Sequence, residues 1–101
     1  MAVKTRYDEK DSRFVISISG KFDFSVLKEF RKAYDNPEAK QGSVEIDMRE
    51  TASIDSSALG MLLYMQNFLN KPDGEIVISN CNGYVMKILT IAQFDKKFSI
   101  R

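Results

Sequence analysis

A strand pair followed by a regular exchange of strand and helix patterns most narrows the folds open to this chain. Val3 to Glu9 and Arg13 to Phe22 read as strands across the polar turn Lys10-Asp11-Ser12. Within the second, Phe14, Ile16 and Ile18 alternate with Val15, Ser17 and Ser19, as in a half-buried strand. Beyond Gly20-Lys21-Phe22-Asp23 the period changes. Val26, Leu27, Phe30, Ala33 and Tyr34 recur at helical spacing from Ser25 to Asn36, where Asn36-Pro37 stops the helix. Ser43 to Arg49 returns to strand alternation through Val44, Ile46 and Met48, and Ser56 to Asn70 is helical again, closed by Lys71-Pro72-Asp73-Gly74. Glu75 to Cys81 gives a further strand. A helix with Val85, Ile88, Leu89 and Ala92 follows it, and Phe98 and Ile100 suggest a short last strand. Strands joined by helices lie side by side through right-handed crossovers, so the pattern predicts an α/β domain. A chain of 101 residues has room for one such domain, spanning 1–101, with one core.

Composition removes much of the usual catalytic repertoire. The absence of histidine excludes His-based metal sites, Ser-His-Asp triads and imidazole acid–base chemistry, and a lone cysteine, Cys81, makes no internal disulfide. Ending a strand expected to be buried, Cys81 reads as an inert core thiol. No acid, base and nucleophile converge, so no enzyme is expected, and no cofactor or metal. The formal charge of +1, from 15 basic and 14 acidic residues spread along the chain, leaves no footprint for nucleic acid or an anionic membrane. The N-terminus has no apolar segment of signal type, and the nearly apolar run Ala58 to Met65 is too short to cross a bilayer, so a cytoplasmic protein is expected.

The helix from Ser56 to Asn70 has more apolar surface than one face can use. At about 100° per residue, Leu59, Leu62, Leu63, Gln66 and Leu69 fall on one arc, the expected core face. Ala58, Met61, Met65 and Phe68 form a second stripe beside it, with Tyr64 further round. Either neighbouring helices cover this second stripe, or it is a partner surface, for which flexible methionines and a small Gly60 are suited. The projection leaves both open.

Asp55-Ser56-Ser57 stands where that helix begins. One side-chain oxygen there serves as an N-cap. A serine nucleophile lacks any histidine or nearby lysine as base, and Ser-Ser-Ala-Leu-Gly lacks the glycines and lysine of a P-loop. A phosphate-accepting serine fits better: a helix N-terminus tolerates the group, while its charge of about −1.5 to −2 changes what the surface binds.

Ile54-Asp55-Ser56-Ser57-Ala58-Leu59-Gly60, preceded by Val44-Glu45-Ile46-Asp47-Met48, resembles the signature of bacterial anti-sigma-factor antagonists, single-domain members of the STAS superfamily. Gly20-Lys21-Phe22-Asp23 resembles the family's Gly-x-x-Asp element, and the Ile76–Ile78 strand, Asn82–Ala92 helix and Phe94…Phe98 ending also fit, so the likeness covers nearly the whole chain. It implies a STAS fold, a four- to five-stranded mixed sheet with three to four helices packed on one side. It also implies partner switching. A serine kinase that doubles as anti-sigma factor, built on the ATP-binding histidine-kinase-like fold, phosphorylates Ser56, with Ser57 the rival acceptor; a PP2C-type phosphatase removes the group. Only the unphosphorylated form captures the kinase, releasing its other client, a sigma factor or a motility, biofilm or secretion regulator. Carried over by position, Asp23 and Asp47 line one edge with Asp55 and Ser56. Ser57, Ala58, Gly60, Met61, Tyr64 and Met65 supply the rest of the contact with the kinase, and the free protein is a monomer. Many members have Gly where Ala58 stands, a small change that a tightly fitted partner can sense. Asp23 also reads as a helix cap, and Tyr84 and Met86 as flanks of a core stripe. Two rival functions remain: a constitutive STAS subunit of a membrane transport complex, which needs no phosphorylatable serine, and a small-molecule sensor, for which so small a core has little room.

Overall fold

The computed structural model describes residues 2–101. Strand β1 (Val3–Asp8) pairs antiparallel with β2 (Arg13–Ile18), in a register that sets Tyr7 opposite Phe14 and Val3 opposite Ile18. The second strand of the sequence pattern does not run on to Phe22. Gly20 has φ +80°, a left-handed conformation natural to glycine, and there the chain leaves the sheet. Gly20–Phe22 becomes β3, which pairs in parallel with β5 (Thr51–Ile54), a strand that the short sequence Thr-Ala-Ser-Ile did not announce. The main sheet is completed by β4 (Ser43–Asp47), β6 (Val77–Ser79) and β7 (Ser99–Ile100), in the order β1-β2-β4-β6-β7. All its pairings beyond β1–β2 are parallel, which makes the sheet mixed.

A 3-10 turn at Phe24–Val26 leads into α1 (Leu27–Tyr34). Asn36-Pro37 stops that helix as expected, but it also starts α2 (Pro37–Gln41): Asn36 Oδ1 accepts from the Ala39 N–H at 2.9 Å, and proline occupies the first turn, where no N–H is needed. The remaining helices are α3 (Ser56–Leu69) and α4 (Gly83–Ile91). Phe14, Ile16 and Ile18 of β2 and Val44 and Ile46 of β4 join Phe30, Tyr34, Ala39, Leu62, Met65, Val85 and Leu89 in one buried cluster, so all four helices cover one face of the sheet. The other face carries a polar network: Arg13 Nη1 donates to Glu45 at 3.1 Å, and Ser79 Oγ donates to the same carboxylate at 2.6 Å.

Helix α3 is turned relative to its sequence projection. Ala58, Met61, Leu62, Met65, Gln66 and Leu69 are buried, whereas Leu63, Tyr64 and Phe68 are exposed and Leu59 lies between. Met61, Met65 and Ala58, expected on the docking stripe, therefore pack inside, because α1 and β5 meet that flank of the helix. Gly60 differs: a Cβ added there would meet nothing within 4 Å, so its small size serves no contact within the chain.

Candidate functional site

Strands β3 and β5 run parallel with Phe22 opposite Ile54, so the next residue of each chain, Asp23 and Asp55, emerges at the same end. Both act as caps in the same way. Asp55 is extended (φ −128°, ψ −174°), and its Oδ1 accepts from the Ala58 N–H at 3.0 Å and from the Ser57 hydroxyl at 2.6 Å. Asp23 Oδ1 accepts from the N–H of Ser25 at 2.9 Å and from the Ser25 hydroxyl. The two carboxylates line one depression together with Lys21, Phe22, Ser53, Ile54 and Tyr84.

This geometry separates the adjacent serines. The Ser57 hydroxyl is held by Asp55, while Ser56, the first residue of α3, is exposed and takes no part in the bonds that organise the turn. A phosphoryl group on Ser56 would meet the unpaired N–H groups of the first turn at the positive end of a helix of 14 residues. Among the described residues no side chain is hydrogen-bonded to the Ser56 hydroxyl.

The Ser57 hydroxyl, followed by the Ala58 N–H, holds the Asp55 carboxyl below the usual carboxylate range. A depressed carboxyl contributes stability that is full above its unfolded pKa, about 3.9, and lost as pH falls through the lower folded value. Asp55→Ala is therefore expected to lower stability by about 1 kcal/mol at neutral pH. The gap from the wild type should close in acid below the folded pKa, as urea unfolding curves recorded across pH will check.

Asp47 sits at the end of β4, where its Oδ1 accepts from the Arg49 N–H and from Asn80 Nδ2, both at 3.0 Å. It lines a depression with Ser17, Arg49 and Glu50, while Asp23 and Asp55 share another. Tyr64 is exposed on α3, with the Arg31 guanidinium 4.5 Å from its ring centre and Phe68 stacked beside it. Cys81 is half-buried, and burial pushes its thiol pKa up, as suits an unreactive thiol.

Three features of this edge were missed. Asn82 Nδ2 donates to the carbonyls of Thr51 and Ala52 at 3.1 and 3.3 Å while its Oδ1 accepts from the Val85 N–H at 2.8 Å, stitching the start of α4 to β5. The Asn-Gly before an apolar helix was the available signal. Tyr84, beside the buried Val85 of α4, does more than flank the core stripe: it is 59% exposed and lines the Asp23–Asp55 depression. Phe24 is 67% exposed on the 3-10 turn, where nothing in the local pattern distinguishes it from an ordinary helix residue. Among the described residues no group of three His, Cys, Asp or Glu side chains could hold a metal, and no helix is long and apolar enough to cross a membrane.

Comparison with known proteins gives this edge a context. The STAS domain family matches over residues 4–101. A STAS-domain containing protein of Pseudomonas aeruginosa (strain UCBPP-PA14) is 34% identical over 100 residues, covering 99% of each chain. The fold resembles that of the anti-sigma factor antagonist SpoIIAA in its unphosphorylated form, with a TM-score of 0.73 and 17% identity over 99% of this chain and 88% of the other. It also resembles a sulfate transporter family protein from Wolinella succinogenes, with a TM-score of 0.70 and 17% identity over 92% of this chain and 79% of that one.

Proposed function

Since the chain belongs to the STAS domain family, we propose that it is a cytoplasmic, non-catalytic partner switch of the anti-sigma-factor-antagonist type, controlled by phosphorylation of Ser56. Its unphosphorylated form binds a serine kinase that doubles as an anti-sigma factor or an equivalent regulator. Phosphorylation releases that kinase, and a PP2C-type phosphatase restores binding. The observation that carries this reading is the division of labour at the start of α3: Asp55 caps the helix and ties up Ser57, leaving Ser56 as the free hydroxyl. In the transfer, Ser56 Oγ attacks the γ-phosphorus of ATP held by the kinase. An O–P bond forms, the bridging bond to the β-phosphate breaks, ADP leaves, and the hydroxyl proton passes to a base on the kinase. The product carries a charge of about −1.5 to −2 beside the exposed Asp55 carboxylate, a surface no longer matched to the partner it fitted before.

The likeness to a sulfate transporter family protein favours a second reading, a constitutive subunit of a membrane transport complex. Fragment-resolved mass analysis of the protein from its native cells, with and without phosphatase treatment, separates the two. A phosphatase-sensitive gain of one phosphoryl group mapped to Ser56 is the expected result. An unmodified Ser56 across growth conditions, with the protein recovered in a membrane complex, would replace the first reading by the second.

A further inference from the structure

Isolated apolar side chains on a surface are ordinary and need no explanation. Phe24 and Tyr84 are different because each adjoins the Asp23–Asp55 depression: Tyr84 lines it, and Phe24 directly follows Asp23 in the chain. Phe24 follows Asp23 as Ser56 follows Asp55, on the ends of two strands paired side by side. Tyr84, near the start of α4, overhangs the depression that Asp23 and Asp55 line. Ser56, next to Asp55, thus adjoins a depression lined by Tyr84, 59% exposed, with Phe24, 67% exposed, one residue beyond Asp23.

Neither ring is needed where it is. The turn at Phe24 is made by Asp23 accepting from Ser25, and its core contact is Val26; the start of α4 is made by Asn82 and its core contact is Val85. The same bonds hold both backbones fixed. Rigid aromatic groups of this kind lose little freedom on association and dominate the energy of many interfaces.

Resting on the switch proposed above, we infer that Phe24 and Tyr84 are the apolar anchors with which the serine kinase acting on Ser56 seats this protein. An active site that reaches the Ser56 hydroxyl has to cover the residues around it, and these two offer the large apolar area there. Asp23 and Asp55 contribute two carboxylates to the depression against the single ammonium of Lys21, so the complementary surface is an aromatic-accepting socket with a basic rim. The anchors act on binding and orientation of the acceptor, and take no part in the transfer itself.

The test is the initial rate at which purified, phosphatase-treated protein incorporates label at Ser56 from [γ-32P]ATP in a soluble extract of its native cells. An initial rate is insensitive to later dephosphorylation. Phe24→Ala and Tyr84→Ala are each expected to slow incorporation tenfold or more at limiting protein concentration. The loss should shrink at high concentration, and the urea midpoint should stay at the wild-type value. Ile91→Ala removes a side chain that is 72% exposed at the far end of α4 and should label at the wild-type rate. Labelling of Phe24→Ala within twofold of the wild type, or equal slowing by Ile91→Ala, would overturn the inference and leave the switch standing. Absence of label on wild-type Ser56 would overturn the switch and the anchors together.

Discussion

Ser56→Asp is expected to lose its kinase, whereas Ser56→Ala keeps it and can no longer be released. The added carboxylate would stand on the first residue of α3, directly after a carboxylate already held ionised by the Ser57 hydroxyl and the Ala58 N–H. Within a close-fitting interface a charge without a partner costs several kcal/mol, so the dissociation constant should rise about a hundredfold or more. Aspartate carries only part of the charge of a phosphoserine, so the phosphorylated protein should bind more weakly still. Alanine removes a hydroxyl that makes no bond within the turn, and its affinity should stay within a few fold of the wild type. Titration calorimetry with the purified kinase reads both numbers. Equal affinities for the two variants would remove charge at Ser56 as the release mechanism.

The second large effect concerns stability and the orientation of α3. Met65 is fully buried and Leu63 is 39% exposed, the reverse of the order the helical projection suggests. Met65→Ala leaves a cavity in the core cluster that includes Phe30, Tyr34 and Leu62 and is expected to cost about 2–5 kcal/mol. That is a large share of the roughly 5–15 kcal/mol that hold a domain together. Leu63→Ala should cost less than about 1 kcal/mol, since much of its side chain stays in water. Urea midpoints at unchanged slope measure both losses. A greater loss for Leu63→Ala would mean that α3 presents its methionines to the outside, and the docking surface would have to be redrawn around them.

The contrast shows what the amino-acid order could and could not convey. The cap at Asp55 was legible because capping depends on neighbours in the chain, and so were the boundaries of α3, since Asn70 takes the left-handed conformation (φ 55°) that ends many helices. The phase of α3 was not legible. Apolar residues nearly encircle it, so its rotation is decided by α1 and β5, which touch it from distant parts of the chain. Strand β5 was missed for a related reason: Thr51 to Ile54 gains its strand character from pairing with β3, and four residues carry too little alternation to announce it. Asn36-Pro37 carried two messages at once, one helix ending and another beginning. The position of Ser56 at the start of α3 could be read locally, but the exposure of Phe24 and Tyr84 could not. Their placement near the Asp23–Asp55 depression depends on the β3–β5 register and on the Asn82 stitch, both tertiary facts.

The strand order β1-β2-β4-β6-β7 follows the order of synthesis without exception. Every strand of the main sheet joins the free side of the one laid down before it, and none has to part an existing pair to find its place. As the chain leaves the ribosome, at about 5–20 residues per second, each emerging strand meets a finished edge waiting for it. Sheet growth can therefore keep pace with translation from one margin to the other. The far margin is held by β7, beside which the Arg101 N–H donates to the Ile78 carbonyl and the Asn80 N–H to the Arg101 carbonyl.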